Sequence, residues 1–137
     1  VIVLDTNVLS EPLKSQPDSR VLGWLASAQG DVAVTSISVG ELLTGVRRLP
    51  SGRRREGLLA AIEHTLTTFA GRVLPYDDAG ARVYAHIQES RRLSGVPLSV
   101  EDGMIAAICS TRGAELATRN VQDFEGLGLE LINPWHA

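Results

Sequence analysis

The chain has 137 residues, 44% hydrophobic and 21% charged, which is enough for one ordinary core and too apolar for a disordered protein. Its net charge of −3 argues against a broadly basic nucleic-acid clamp, and a lone cysteine, Cys109, excludes a disulfide framework or a multi-cysteine zinc site. No apolar run approaches the ~18 residues of a membrane span and no signal-peptide pattern opens these residues, so a reducing, cytoplasmic setting is expected.

Val1-Ile2-Val3-Leu4 is a continuous β-branched run of the kind buried on both faces of a parallel sheet, and it ends at Asp5-Thr6-Asn7. Further short strands are expected at 32–35, around Val73-Leu74, at 115–118 and at 129–132. Between them the apolar period becomes helical. Val21, Leu22 and Leu25 mark one helix and Ile37, Leu42, Val46 and Leu49 a second. Leu58, Ile62, Leu66 and Phe69 mark a third. Val83 and Ile87 lead through Arg91-Arg92 to Gly95 and Pro97, a stop signal with cations in the last turn. Met104, Ile105 and Ile108 run to Gly113 in the same manner. Strands alternating with helices predict an α/β fold, a three-layer α/β/α sandwich with a mostly parallel central sheet, as one domain over 1–137.

Motifs that would mark other chemistries are absent from the sequence. It has no G-x-x-x-x-G-K-[ST], no G-x-G-x-x-G and no G-x-S-x-G. His64, His86 and His136 show no ligand spacing, and Cys109 reads as a small core residue.

Open parallel sheets bind ligands beyond the carboxyl ends of their strands. Asp5 follows the first strand; Ser36, Ser38 and Glu41 follow the second; Thr118, Arg119, Asn120 and Asp123 follow the fourth. Asp102 opens the helix before the fourth strand, and it joins them only if the chain has crossed back through Leu98-Ser99. Each acid also has a capping explanation. Ser38-Val39-Gly40-Glu41 reads as a capping box with Ser38 as N-cap, 99–102 nearly repeats it, Asp5 could cap a helix near Asn7, and Asn120 one holding Asp123. Caps, however, need no common destination. Like charges at ~4 Å and an effective dielectric of ~20 repel by about 4 kcal/mol per pair, so converging carboxylates call for raised pKa values or a cation. An all-oxygen set suits Mg²⁺ or Mn²⁺, and the expected chemistry is metal-activated water attacking a phosphodiester.

Five arginines, Arg47, Arg48, Arg53, Arg54 and Arg55, fall within nine positions. They read either as a solvated helix–helix turn or as guanidinium forks for RNA phosphates, and Arg112 and Arg119 could serve likewise.

Val3-Leu4-Asp5-Thr6-Asn7, 38–42, 101–107, Ala117-Thr118-Arg119-Asn120 and the closing Asn133-Pro134-Trp135-His136 together resemble PIN-domain proteins, specifically toxin ribonucleases of the VapC or FitB type. The resemblance implies Asp5 and Asp102 as metal ligands, Glu41 holding a second metal or water, and Thr6, Asn7, Ser36 and Thr118 orienting the carboxylates. The family's fourth acidic position falls on Asn120, a departure for which Asp123 could compensate. The resemblance further implies an Mg²⁺- or Mn²⁺-dependent endoribonuclease toxin. Its partners would be a cognate antitoxin, an RNA substrate, operator DNA reached only through the antitoxin, and a second copy of itself. Asn120 keeps open a weakly catalytic module that binds an antitoxin and assists operator binding.

Overall fold

The computed structural model describes residues 1–28 and 30–137. Five strands, β1 (Ile2–Leu4), β2 (Val32–Thr35), β3 (Val73–Leu74), β4 (Glu115–Ala117) and β5 (Leu131–Ile132), form one sheet in the order β3-β2-β1-β4-β5. Every pairing is parallel, with Ile2 opposite both Val32 and Glu115 and Leu4 opposite Ala117. Among the described residues six α-helices pack on the sheet: α1 (Thr6–Ser10), α2 (Ser19–Ser27), α3 (Ser36–Arg47), α4 (Arg53–Thr68), α5 (Asp78–Ser94) and α6 (Val100–Arg112).

The pleat of β1 divides the core. Leu4 packs with Val34, Leu42, Val46 and Ile62 beneath α1 to α4, whereas Val3 packs with Ile87, Ile105 and Phe124 beneath α5 and α6. Both β1 residues are at most 1% exposed, which is why this strand reads as an unbroken apolar run. Burying each contributes about 1.5–3 kcal/mol. The central, doubly covered strand thereby becomes a rigid base for whatever follows it.

Four boundaries differ from the sequence reading, and the first is β1 itself: Val1, expected inside the buried run, lies before the strand and is 52% exposed. β2 runs into α3 with no intervening loop, so the N-cap is Thr35, whose hydroxyl accepts the Ser38 N–H at 3.2 Å. Ser38 is not the cap; it lies buried inside the helix. β5 begins only at Leu131, because Gly126 and Gly128 at φ 81° and 76° hold the preceding segment in turns. β4 ends at Ala117, although the Thr118 N–H still donates to the Ile132 carbonyl at 2.9 Å.

The α5–α6 pair brings the remaining acid into place. A Cβ on Gly103 would lie 2.7 Å from Gln88 Nε2 and 2.9 Å from Tyr84 Cε1, so only glycine permits this approach. No helix among the described residues is long and apolar enough to cross a membrane.

Candidate active site

The strand order reverses between β1 and β4, and the carboxyl ends of these neighbours deliver Asp5 and Thr118 to one crevice. Asp5 is 4% exposed. Its Oδ1 accepts the Thr6 N–H at 2.8 Å, and its Oδ2 accepts the Thr118 hydroxyl at 2.8 Å and the Asn7 amide at 3.4 Å. Asp5 therefore caps α1 and also faces the crevice; the two readings of this residue are compatible. Burial pushes its carboxyl above the ordinary value, against the lowering bonds from Thr118 and Thr6, and the charge of Glu41 adds to the rise.

Glu41 projects from α3 and is exposed. Its Oε1 accepts the Thr6 hydroxyl proton at 2.7 Å, so the 2.8 Å contact between Thr6 and Ser38 has Ser38 as donor. Thr6 thus bridges the segments that follow the first and second strands. Ser36 does something else: its hydroxyl accepts the Tyr76 N–H at 3.2 Å and steadies the chain after β3.

Asp102 is the third residue of α6, and its N–H donates to the capping Ser99 hydroxyl at 3.2 Å. The half-buried carboxyl is raised chiefly by burial, then by the charge of Asp5, with smaller contributions from Asp123 and Glu101. Asp102 lies just after Leu98-Ser99 at the start of α6, and its carboxyl feels the charge of Asp5. Asn120 is exposed; its N–H donates to the Thr118 hydroxyl at 3.0 Å, and its side chain does not cap the 3₁₀ turn Val121–Phe124 that follows.

That turn, which carries Asp123, is anchored by a residue whose role the sequence reading missed. Arg91 is 7% exposed and donates from one terminal nitrogen to the carbonyls of Asp123 (2.8 Å) and Glu125 (3.0 Å). Its spacing from Val83 and Ile87, an arginine on an apolar i, i+4, i+8 stripe, was the available signal. Arg91→Met leaves both carbonyls without this donor. The expected cost is about 2 kcal/mol, with faster amide exchange confined to residues 121–125, readable by hydrogen exchange.

The arginine cluster divides. Arg48 lines a cleft of about 510 Å³ between α3 and α6 with Glu41 and Glu101 on its walls. Arg53 and Arg54 instead line a groove with Lys14, Arg55 donates to the Ser51 hydroxyl at 3.3 Å, and Arg47 is exposed. Arg112 closes α6 at the end opposite Asp102.

Among the described residues no three acidic, histidine or cysteine side chains stand close enough to cage a cation. The set is open: Asp5 and Asp102 share one electrostatic neighbourhood, and Glu41 reaches Asp5 through Thr6. Oxygen donors, few carboxylates and free space suit Mg²⁺ or Mn²⁺, which retain several waters, and do not suit a closed zinc site. Burial pushes the Cys109 thiol up to about 12, which leaves it a neutral core group.

A parallel sheet in this order, with Asp5 and Thr118 at its switch point, defines an open α/β/α protein with its candidate site at the carboxyl ends of the central strands. The PIN domain model matches residues 2–127, and the chain belongs to the PIN-domain family. It is 40% identical over 138 residues to Toxin FitB of Neisseria gonorrhoeae, covering 99% of each chain. It is 41% identical over 137 residues to VapC ribonuclease Y4jK of Sinorhizobium fredii, covering 98% of each. Among solved structures, FitAcB from Neisseria gonorrhoeae superposes with a TM-score of 0.94 at 40% identity over the whole of both chains. DNA-bound VapBC from Salmonella typhimurium does so at 0.85, with 25% identity and 97% of each chain covered.

Proposed function

We propose that this chain is a single-domain, cytoplasmic, divalent-metal-dependent endoribonuclease, the toxin of a toxin–antitoxin pair. The observation that carries the reading is Asp5 at the end of β1, held by Thr118, Thr6 and Asn7 and tied to Glu41 through Thr6, with the charge of Asp5 felt at Asp102. The resemblance to a named toxin and a named VapC ribonuclease supports the same reading.

When bound, Mg²⁺ or Mn²⁺ supplies the charge that activates water and offsets the negative charge growing on the phosphodiester and its leaving oxygen. Asp5 and Asp102 would hold it. Burial raises both carboxyls, and a bound cation would favour their charged forms. Glu41, which lines the α3–α6 cleft, would hold a second cation or orient water there. Thr118, Thr6 and Asn7 fix the Asp5 carboxylate so that its lone pairs point consistently. Asn120 offers an amide in place of a charge, and Asp123 supplies the further negative field. RNA phosphates meet Arg48 at the cleft and Arg119 on the other side.

Its partners are a cognate antitoxin, operator DNA held through that antitoxin, and a second copy of the chain. The likeness to DNA-bound VapBC supports the antitoxin and the operator DNA. Expression of the chain alone is expected to arrest growth, and Asp5→Ala or Asp102→Ala to relieve the arrest without loss of antitoxin binding. Sequencing RNA ends during arrest is expected to show new internal termini that the purified protein reproduces with Mg²⁺ and not with EDTA. Antitoxin binding without arrest or cleavage by the unmodified chain overturns this reading and leaves an assembly module.

A further inference from the structure

The closing turn Pro134–His136 has a purpose in the crevice. Asn133 Oδ1 accepts the Trp135 N–H at 3.0 Å, and the indole is 6% exposed. The Arg119 guanidinium carbon lies 5.1 Å from the indole centroid, within reach of the ring's electronegative face. At its other end, the Arg119 backbone N–H donates to Asn7 Oδ1 at 3.3 Å, and the Asn7 amide reaches Asp5.

Among the described residues Arg119 has no carboxylate within ion-pair distance. Its guanidinium lines a groove of about 730 Å³ with Asn120, Gln122, Asp123 and Trp135. Arg20, also in that groove, is tied to Asp18 at 3.1 Å. The groove lies next to the Asp5 side of the site, because the Arg119 backbone is bonded to Asn7 and Asn7 to Asp5. A polyanion that crosses carboxylates needs a cation that is fixed nearby and not neutralised by them, and Arg119 meets both conditions.

We propose that Arg119, braced by Trp135, grips the RNA phosphate adjacent to the one being cut, and that its groove carries the nucleotide on that side. The proposal rests on the ribonuclease reading above. Trp135 is a positioning residue that acts through Arg119. The planar guanidinium matters because it stacks on the ring and still presents a fork of donors; a lysine at this position keeps the charge and loses the plane.

The test is binding of a fluorescein-labelled single-stranded RNA decamer in EDTA, measured by anisotropy across a KCl series. A single-strand phosphate contact contributes a slope of about 0.7 in log Kd against log salt. Arg119→Ala is expected to lower the slope by about that amount. It is also expected to weaken binding about tenfold, the equivalent of one charge-assisted hydrogen bond. Arg119→Lys restores the slope and recovers only part of the affinity. Trp135→Phe weakens binding in the wild type but not on top of Arg119→Ala, a non-additivity that a merely structural role does not produce. An unchanged slope in Arg119→Ala, or full additivity in the double variant, overturns the grip. If Mg²⁺-dependent cleavage persists in that case, the ribonuclease reading stands; a wild type that neither binds nor cleaves RNA overturns both.

Discussion

Asp5→Asn is expected to cut RNA cleavage by about a thousandfold while making the metal-free protein more stable. A bound cation contributes several kcal/mol of transition-state charge stabilisation, and 1.36 kcal/mol is tenfold in rate, so loss of a metal-holding carboxylate reaches this size. The stability gain follows from burial. The Asp5 carboxyl is raised mainly because its charged form is desolvated, and Glu41 repels it further. The Asp102 carboxyl is raised partly by Asp5, so one substitution relieves two groups. The sign with pH is fixed by these shifts. Both acids titrate higher in the folded chain than their ordinary value of 3.8, so the folded state binds protons more tightly. Their contribution is fully favourable below that value and is lost as pH rises through the raised folded values. Metal-free wild type is therefore expected to lose stability over that rise, with a smaller slope in Asp5→Asn. Thermal melts in EDTA read this directly, at about 3 °C per kcal/mol for a domain of this size. Added Mg²⁺ is expected to raise the wild-type melting point and leave the variant unmoved.

Gly103→Val carries the largest expected cost to the fold. A single Cβ already meets Tyr84 at 2.9 Å and Gln88 at 2.7 Å; the glutamine end can swing aside, but the tyrosine ring is held edge-on to Tyr76 at 6.2 Å between centroids. Overpacking of this kind costs about 1–3 kcal/mol, and the γ-methyls of valine place it at the upper end. The melting point is expected to fall by about 9 °C. Because Asp102 precedes Gly103 on the same helical turn, α6 cannot shift without moving the carboxyl, so the Mg²⁺-induced rise in melting point shrinks as well. Gly103→Ala is the milder control, with both effects reduced. A variant that loses stability but keeps the full Mg²⁺ response contradicts the placement of Asp102.

The sequence carried the skeleton of this site because strand burial and strand ends are local signals. Val1 to Leu4 announces a doubly covered strand, and the polar residues that follow such strands have to emerge at one sheet edge. What lay beyond it were contacts between distant segments. Asp102 joins the edge only through the packing of α5 on α6, which depends on Gly103 having no side chain, and no pattern of apolar spacing encodes that. Ser38 looked like a cap because capping boxes are read from residue types, yet the absence of a loop after β2 passed the cap to Thr35 and left Ser38 for Thr6. Arg91 and Arg92 looked alike as cations in a last turn, and only the apolar stripe shared with Val83 and Ile87 separates the buried one. The Trp135–Arg119 pair joins two segments across the sheet edge, and neither segment alone shows it.

Manganese offers the most direct measurement. Crystals of the chain soaked in Mn²⁺ are expected to show an anomalous peak between the carboxylates of Asp5 and Asp102, with water completing the coordination, and no such peak in Asp5→Asn. A manganese peak elsewhere, or one that survives in Asp5→Asn unchanged, contradicts the account.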